Sequence, residues 1–100
     1  MFLAFIKMNV RSDKRKEFSQ TLHSIVAQMR QEKGCVESNF CQNAENENDV
    51  FLVEKWETQK TLDDHLRSHR FKVLMGAGSL LSRPLEIMTH TVSQSSELEP

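Results

Sequence analysis

Glu54, Trp56, His65 and His69 crowd into one stretch, FLVEKWETQKTLDDHLRSHRF, between Phe51 and Phe71. A carboxylate, an indole and two imidazoles close together suit proton abstraction from a planar substrate. A carboxylate that accepts an imidazole N–H fixes the tautomer and raises the ring's basicity. On that reading Glu54 orients His65, His65 takes a proton from a phenol or enol, and Trp56 stacks on the aromatic plane. A plainer reading competes with it. A strand tryptophan belongs in a core, and a Glu–His pair satisfies two semi-buried polar groups. His65 and His69 also stand i,i+4, the spacing of two metal ligands on a helix face. No third ligand follows nearby and Ser68 interrupts the helix between them, so no metal is assigned.

The flanking elements must position these groups. Phe2 to Val10 alternates as a strand, with Phe2, Ala4, Ile6, Met8 and Val10 on one face and a partly apolar second face through Leu3 and Phe5. Ser12 or Asp13 is placed to cap a helix running from Lys14 to about Lys33, whose stripe is Phe18, Leu22, Ile25, Val26 and Met29. Gly34 ends it. Cys35 to Gln42 reads as a second strand, and the turn-rich NAENEND segment leads into a third, Val50 to Glu57, making an antiparallel hairpin. On the third strand Leu52, Glu54 and Trp56 share a face.

Thr58 caps a short helix to about Arg67, with Leu62, His65, Leu66 and His69 on its stripe and an Asp63–Arg67 pair outside. Ser68 re-caps a further turn carrying Phe71, Leu74 and Met75, residues suited to core or pocket wall. His69 lines the pocket mouth or caps this junction, the second being the simpler role. Pro84 opens the last strand, Leu85 to Val92. The order β-α-β-β-α-β predicts an α+β, ferredoxin-like domain over residues 1–92, an antiparallel sheet with its helices on one face, and a polar tail over 93–100. The second sheet face has nothing in the chain to cover it, which predicts a homodimer joined through sheet faces.

Composition excludes several classes. One hundred residues carrying 13 Lys and Arg against 14 Asp and Glu, interspersed, form no basic stripe for nucleic acid. No apolar run is long enough to cross a bilayer, and the N-terminus lacks the charged segment and cleavage site of a signal peptide. Cys35 and Cys41 would sit roughly 20 Å apart along an extended strand, too far to bridge. They read as small buried hydrophobes with free thiols, as expected in a reducing cytoplasm.

The element order, Gly34, the E-x-W of Glu54 and Trp56, and the spacing of Leu62, His65, Ser68, His69 and Phe71 resemble the antibiotic biosynthesis monooxygenase family. The resemblance runs from about Phe2 to Val92. Arg70 departs from it by separating His69 from Phe71, which that family usually keeps adjacent. The resemblance implies a dimeric α+β barrel and, among the family's activities, cofactor-free oxidation of quinols or anthrones by molecular oxygen. It implies no flavin or metal. The haem-degrading branch carries an Asn on its first strand, a Trp after strand three and a later His. These positions correspond to about Phe5, His65 and Met75 here, so that chemistry is not expected. The anthrone-oxidising branch matches at Trp56 but has polar side chains where this chain has Leu52 and Leu62, and the chain contains no Tyr.

The expectation is therefore a cofactor-independent monooxygenase acting on a quinol or related electron-rich aromatic. His65, Glu54 and Trp56 are its catalytic candidates, and Leu52, Leu62, His69, Phe71 and Met75 its substrate-binding residues. The rival expectations are a non-catalytic dimeric domain that binds a small molecule, and an isomerase-type proton transfer on a small carbonyl compound.

Overall fold

In the computed structural model, which describes residues 1–99, the chain forms β1 (Phe2–Asn9), α1 (Arg15–Met29), β2 (Cys35–Gln42), β3 (Asp49–Trp56), α2 (Gln59–Leu66), α3 (His69–Gly76) and β4 (Glu86–Thr91). The strands make one antiparallel sheet in the order β2-β3-β1-β4. β1 and β3 occupy its centre, and the split βαβ arrangement anticipated from the sequence is the fold observed.

Alternation on the two central strands sends one set of side chains toward the helices. Ala4, Ile6, Met8 and Val10 are buried there, as are Leu52, Glu54 and Trp56. The α1 stripe of Phe18, Leu22, Ile25, Val26 and Met29 covers the end of the sheet nearest Ile6, Met8 and Leu52, with Phe71 and Leu74 of α3 completing that core. Each such side chain contributes on the order of 1.5–3 kcal/mol when fully buried. A second, smaller cluster of Ala4, Trp56 and Leu62 lies at the other end, with Phe2, Cys35 and Leu66 packed against it. The opposite sheet face carries Leu3, Phe5, Phe51, Val53 and Met88. Phe5 stands across from Val53 and Met88 and stacks on Phe51 at 5.5 Å between ring centroids. Nothing among the described residues packs over it.

Several local expectations need correction. Neither Ser12 nor Asp13 caps α1 through its side chain; a 3-10 turn at Ser12–Lys14 leads in, with the Lys14 amide donating to the Arg11 carbonyl at 2.8 Å. The α1 helix stops at Met29 rather than near Lys33, because the next amides tighten to i→i−3 bonds: Gln31 donates to Gln28 and Glu32 to Met29, each at 3.0 Å. A β-bulge at the start of β2 shifts the register between Cys35 and Glu37. It turns Cys35 toward Trp56 and leaves Val36 exposed, whereas simple alternation put Cys35 on the face of Cys41. Cys41 is exposed rather than buried; both thiols are free. Arg67 lies 3.7 Å from Asp64, while Asp63 accepts from Gln59 at 2.9 Å, so the expected Asp63–Arg67 pair does not form.

Two turns fix α2 and α3 against the sheet. Thr58 and Thr61 form a reciprocal cap: the Thr61 amide donates to Thr58 Oγ1 at 3.1 Å and the Thr58 amide to Thr61 Oγ1 at 3.2 Å. Ser68 Oγ accepts from the Phe71 amide at 3.2 Å and starts α3. Gly34 has φ +85°, and a Cβ there would lie 2.5 Å from the Thr61 side chain. Glycine is needed both for the left-handed backbone and for the close approach of α2. Gly34→Ala should therefore lower stability by about 2 kcal/mol or more, while Gly78→Ala, with no atom within 4 Å of the added carbon, should stay within about 0.5 kcal/mol. Urea unfolding of the two variants checks the contrast.

Candidate active site

Strand β3 delivers Glu54 and Trp56 to the helix side because they are two residues apart. Helix α2 brings His65 onto the same spot, since Leu62 one turn earlier is buried against Trp56 and sets the helix phase. The rings of Trp56 and His65 stack at 4.4 Å with 26° between planes, and Phe71 meets His65 edge-on at 5.4 Å. Glu54 is 0 % exposed and His65 1 %.

A buried carboxylate needs partners, and Glu54 has two. Trp56 Nε1–H donates to Oε1 at 3.2 Å, and His65 Nε2 lies 3.1 Å from both carboxylate oxygens. The other ring nitrogen is also taken: His65 Nδ1 is 2.8 Å from Oε2 of Glu32. With a carboxylate at each nitrogen, the ring satisfies both by donating two N–H bonds as imidazolium. Burial on its own would lower the His65 pKa. The hydrogen bond and charge of Glu54, then those of Glu32, outweigh it and hold the pKa above the ordinary 6.5. Cys35 sits at the edge of this group. Burial first, then the charges of Glu54 and Glu32, push its thiol up to about 11 against the opposing Arg30. Such a thiol stays protonated at neutral pH and is a poor nucleophile.

Glu32 is the member that sequence reasoning missed. Its one signal was spacing: the α1 stripe ends at Met29, and three residues on is Glu32. The tightened turn after α1 carries Glu32 to the His65 ring, where its carboxylate is only 12 % exposed. Its Oε1 lies 3.8 Å from Nη1 of Arg70. Above these groups is a shallow depression of about 240 Å³ lined by Glu32, Lys33, Trp56, Thr61, Asp64, His65 and Arg70.

The expected pocket wall is largely elsewhere. Leu52 belongs to the main core, and Leu62 and Phe71 lie buried beneath Trp56 and His65. His69 is exposed and the cap at the helix junction comes from Ser68 instead. The helix break that Ser68 imposes turns His69 out of the α2 stripe. Met75 is 51 % exposed and lines a separate depression with Leu81, Pro84 and Leu85. The face of Trp56 that a substrate was expected to stack on is covered by His65. A further depression of about 210 Å³ opens between α1 and the β2–β3 hairpin, lined by Phe18, Leu22, Phe40 and Val50. Its Arg15 is paired with Glu47 at 2.9 Å.

A ferredoxin-like domain with an acid–imidazole–acid row buried between its sheet and its second helix is thus defined. The sequence profile of the antibiotic biosynthesis monooxygenase family matches residues 1–77, and the chain belongs to that family. Among solved structures, a conserved protein from Methanosarcina mazei Go1 is 27 % identical over 89 % of both chains, with a TM-score of 0.84. A candidate antibiotic biosynthesis monooxygenase from Deinococcus radiodurans superposes over 100 % of both chains at 16 % identity and a TM-score of 0.90. Rv0793 from Mycobacterium tuberculosis is 21 % identical, covers 96 % of this chain and 98 % of its own, and has a TM-score of 0.87. The last two speak for the fold alone. A search of curated proteins finds no match.

The raised His65 pKa has a signed consequence for stability. The folded state holds the proton more tightly than the unfolded chain, so this contribution is complete below about pH 6.5. It is lost as pH rises through the folded pKa. Thermal unfolding should therefore move to lower temperature as pH climbs above 6.5. His65→Gln should remove that dependence, and NMR titration of the His65 ring should give a midpoint above 6.5. His65→Ala leaves Glu54 buried without its cation and should cost about 3–5 kcal/mol in urea unfolding.

Proposed function

We propose that this protein is a cofactor-independent monooxygenase acting on a quinol or related electron-rich aromatic. The observation that supports the reading is the buried Glu54–His65–Glu32 row, opening on a depression walled by Trp56. Proton removal is the step a protein can supply to such a substrate. The resulting aryloxide is electron-rich enough to reduce oxygen itself. One oxygen atom enters the substrate and the other leaves as water, with the substrate providing the electrons. His65 serves as the proton acceptor in its neutral form, Glu54 fixes its tautomer, and the Glu54 and Glu32 carboxylates stabilise the imidazolium that forms against the cost of its burial. Family membership favours this reading over the two rivals, a small-molecule-binding domain and a carbonyl isomerase.

Oxygen consumption with reduced naphthoquinols and anthrones, without added cofactor, tests it. Uptake should exceed autoxidation, rise with pH as His65 loses its proton, and fall by about 10²-fold or more in His65→Gln. A folded protein that gives no uptake with the panel would instead favour the binding or isomerase role.

The working form in this reading is a homodimer closed over the apolar sheet face, in keeping with free thiols and a reducing cytoplasm. No helix among the described residues is long and apolar enough to cross a membrane. Phe5 and Met88 are 37 % and 60 % exposed on that face, and a second sheet would cover both. Phe5→Asp together with Val53→Asp should turn a dimer into a monomer by light scattering at micromolar concentration, with the helical circular dichroism retained.

A further inference from the structure

His65 is almost completely enclosed, so a substrate in the depression does not meet its ring in this conformation. Only one member of the row reaches the surface. Glu32 touches Nδ1 through Oε2 and faces Arg70 through Oε1, at 2.8 and 3.8 Å. The longer distance leaves that guanidinium without a close hydrogen bond to the carboxylate. An incoming oxygen can take it.

Building on the proposed oxidation of a phenolic substrate, we propose that Glu32 and Arg70 are the two residues that meet it. An acidic hydroxyl of the phenol or enol class sits between them, Glu32 carries its proton inward to His65, and Arg70 holds the oxyanion left behind. The O–H bond of the substrate breaks and an N–H bond forms at Nδ1. Glu32 begins and ends as a carboxylate, and the substrate becomes an aryloxide beside a new imidazolium. The charges balance: one anion and one cation form from two neutral groups. Glu32 is thereby a catalytic residue, and Arg70 a determinant of substrate acidity and orientation.

Other charges face this path and do not replace either residue. Glu54 approaches from β3 and stays on Nε2, the far side of the ring. Arg30, at the end of α1, donates to the Ser38 carbonyl at 2.8 Å. Asp64 of α2 is held by Lys60 at 2.9 Å. Lys33 lines the depression and adds positive charge at its rim. Arg70 is also the residue that departs from the pattern resembled by the rest of this segment, so the inference concerns this chain in particular.

The test uses 4-nitrophenol, whose absorbance reports its ionisation, and NMR of the His65 ring. At the His65 midpoint, saturating probe should produce bound nitrophenolate and, in equal amount, new His65 imidazolium. Arg70→Met should abolish both signals. In stopped-flow mixing Glu32→Gln should slow the appearance of bound nitrophenolate by about 10²-fold or more, because a carboxamide cannot carry the proton, whereas a role only in holding the His65 charge would change the extent and not the rate. Arg70 is 43 % exposed and Glu32→Gln preserves shape, so both variants should keep the wild-type circular dichroism. Nitrophenolate that appears with His65 unchanged overturns the inference, as do variants that behave like wild type or a probe that binds without ionising. Oxygen uptake without this proton transfer would sink the Glu32–Arg70 role and spare the monooxygenase reading. Proton transfer without oxygen uptake would do the reverse.

Discussion

Much of this domain's smaller end is arranged around one buried negative charge. Glu54 lies on a central strand, where its neighbours in register are Ala4 and Ser38, and neither can neutralise it. An unpaired carboxylate there would be prohibitively unfavourable. His65 answers it with Nε2 and Trp56 adds an indole N–H. That pairing requires α2 to lie across the sheet at one height and one rotation. The demand then propagates outward. Leu62 must enter beside Trp56, Thr58 must begin the helix, and Gly34 must let Thr61 come close.

A doubly clamped imidazole is an unusual base. In its charged form both protons are engaged and it can accept nothing. In its neutral form one nitrogen faces a carboxylate across an empty proton position, a strained arrangement that favours taking a proton up. The same two carboxylates that raise the pKa therefore supply the driving force for proton capture. They also wall the ring from solvent. Structure and reactivity are coupled here: the groups that hold α2 to the sheet are those that would tune the chemistry.

Glu54, Trp56 and His65 were legible as a group because strand alternation and helix phase are local rules. Two residues on a strand share a face whatever surrounds them, and Thr58 caps a helix wherever the chain allows it. Glu32 was not singled out, because it lies in the turn beyond the end of α1, where helix phase no longer fixes a side chain's direction. Its partner comes from an element 33 residues away, and a glutamate near a helix end usually faces water. The pocket wall misled for a similar reason. Leu52, Leu62 and Phe71 are apolar and inward-facing, which sequence reports correctly. Whether an inward residue lines a cavity or fills it depends on how closely the elements pack.

Local rules alone dictate the element order, the two-residue and helical periods that select inward side chains, the caps at Thr58 and Ser68, and the need for a flexible residue at Gly34. These are short-range consequences of backbone sterics and of hydrogen bonds between near neighbours. Folding in three dimensions was needed to bring Glu32 into the row, to lay His65 over the face of Trp56, to turn Cys35 inward through a bulge, and to point His69 and Met75 away. Each depends on distances between segments remote in sequence. Those distances are set by close packing and by the buried charge that packing must accommodate.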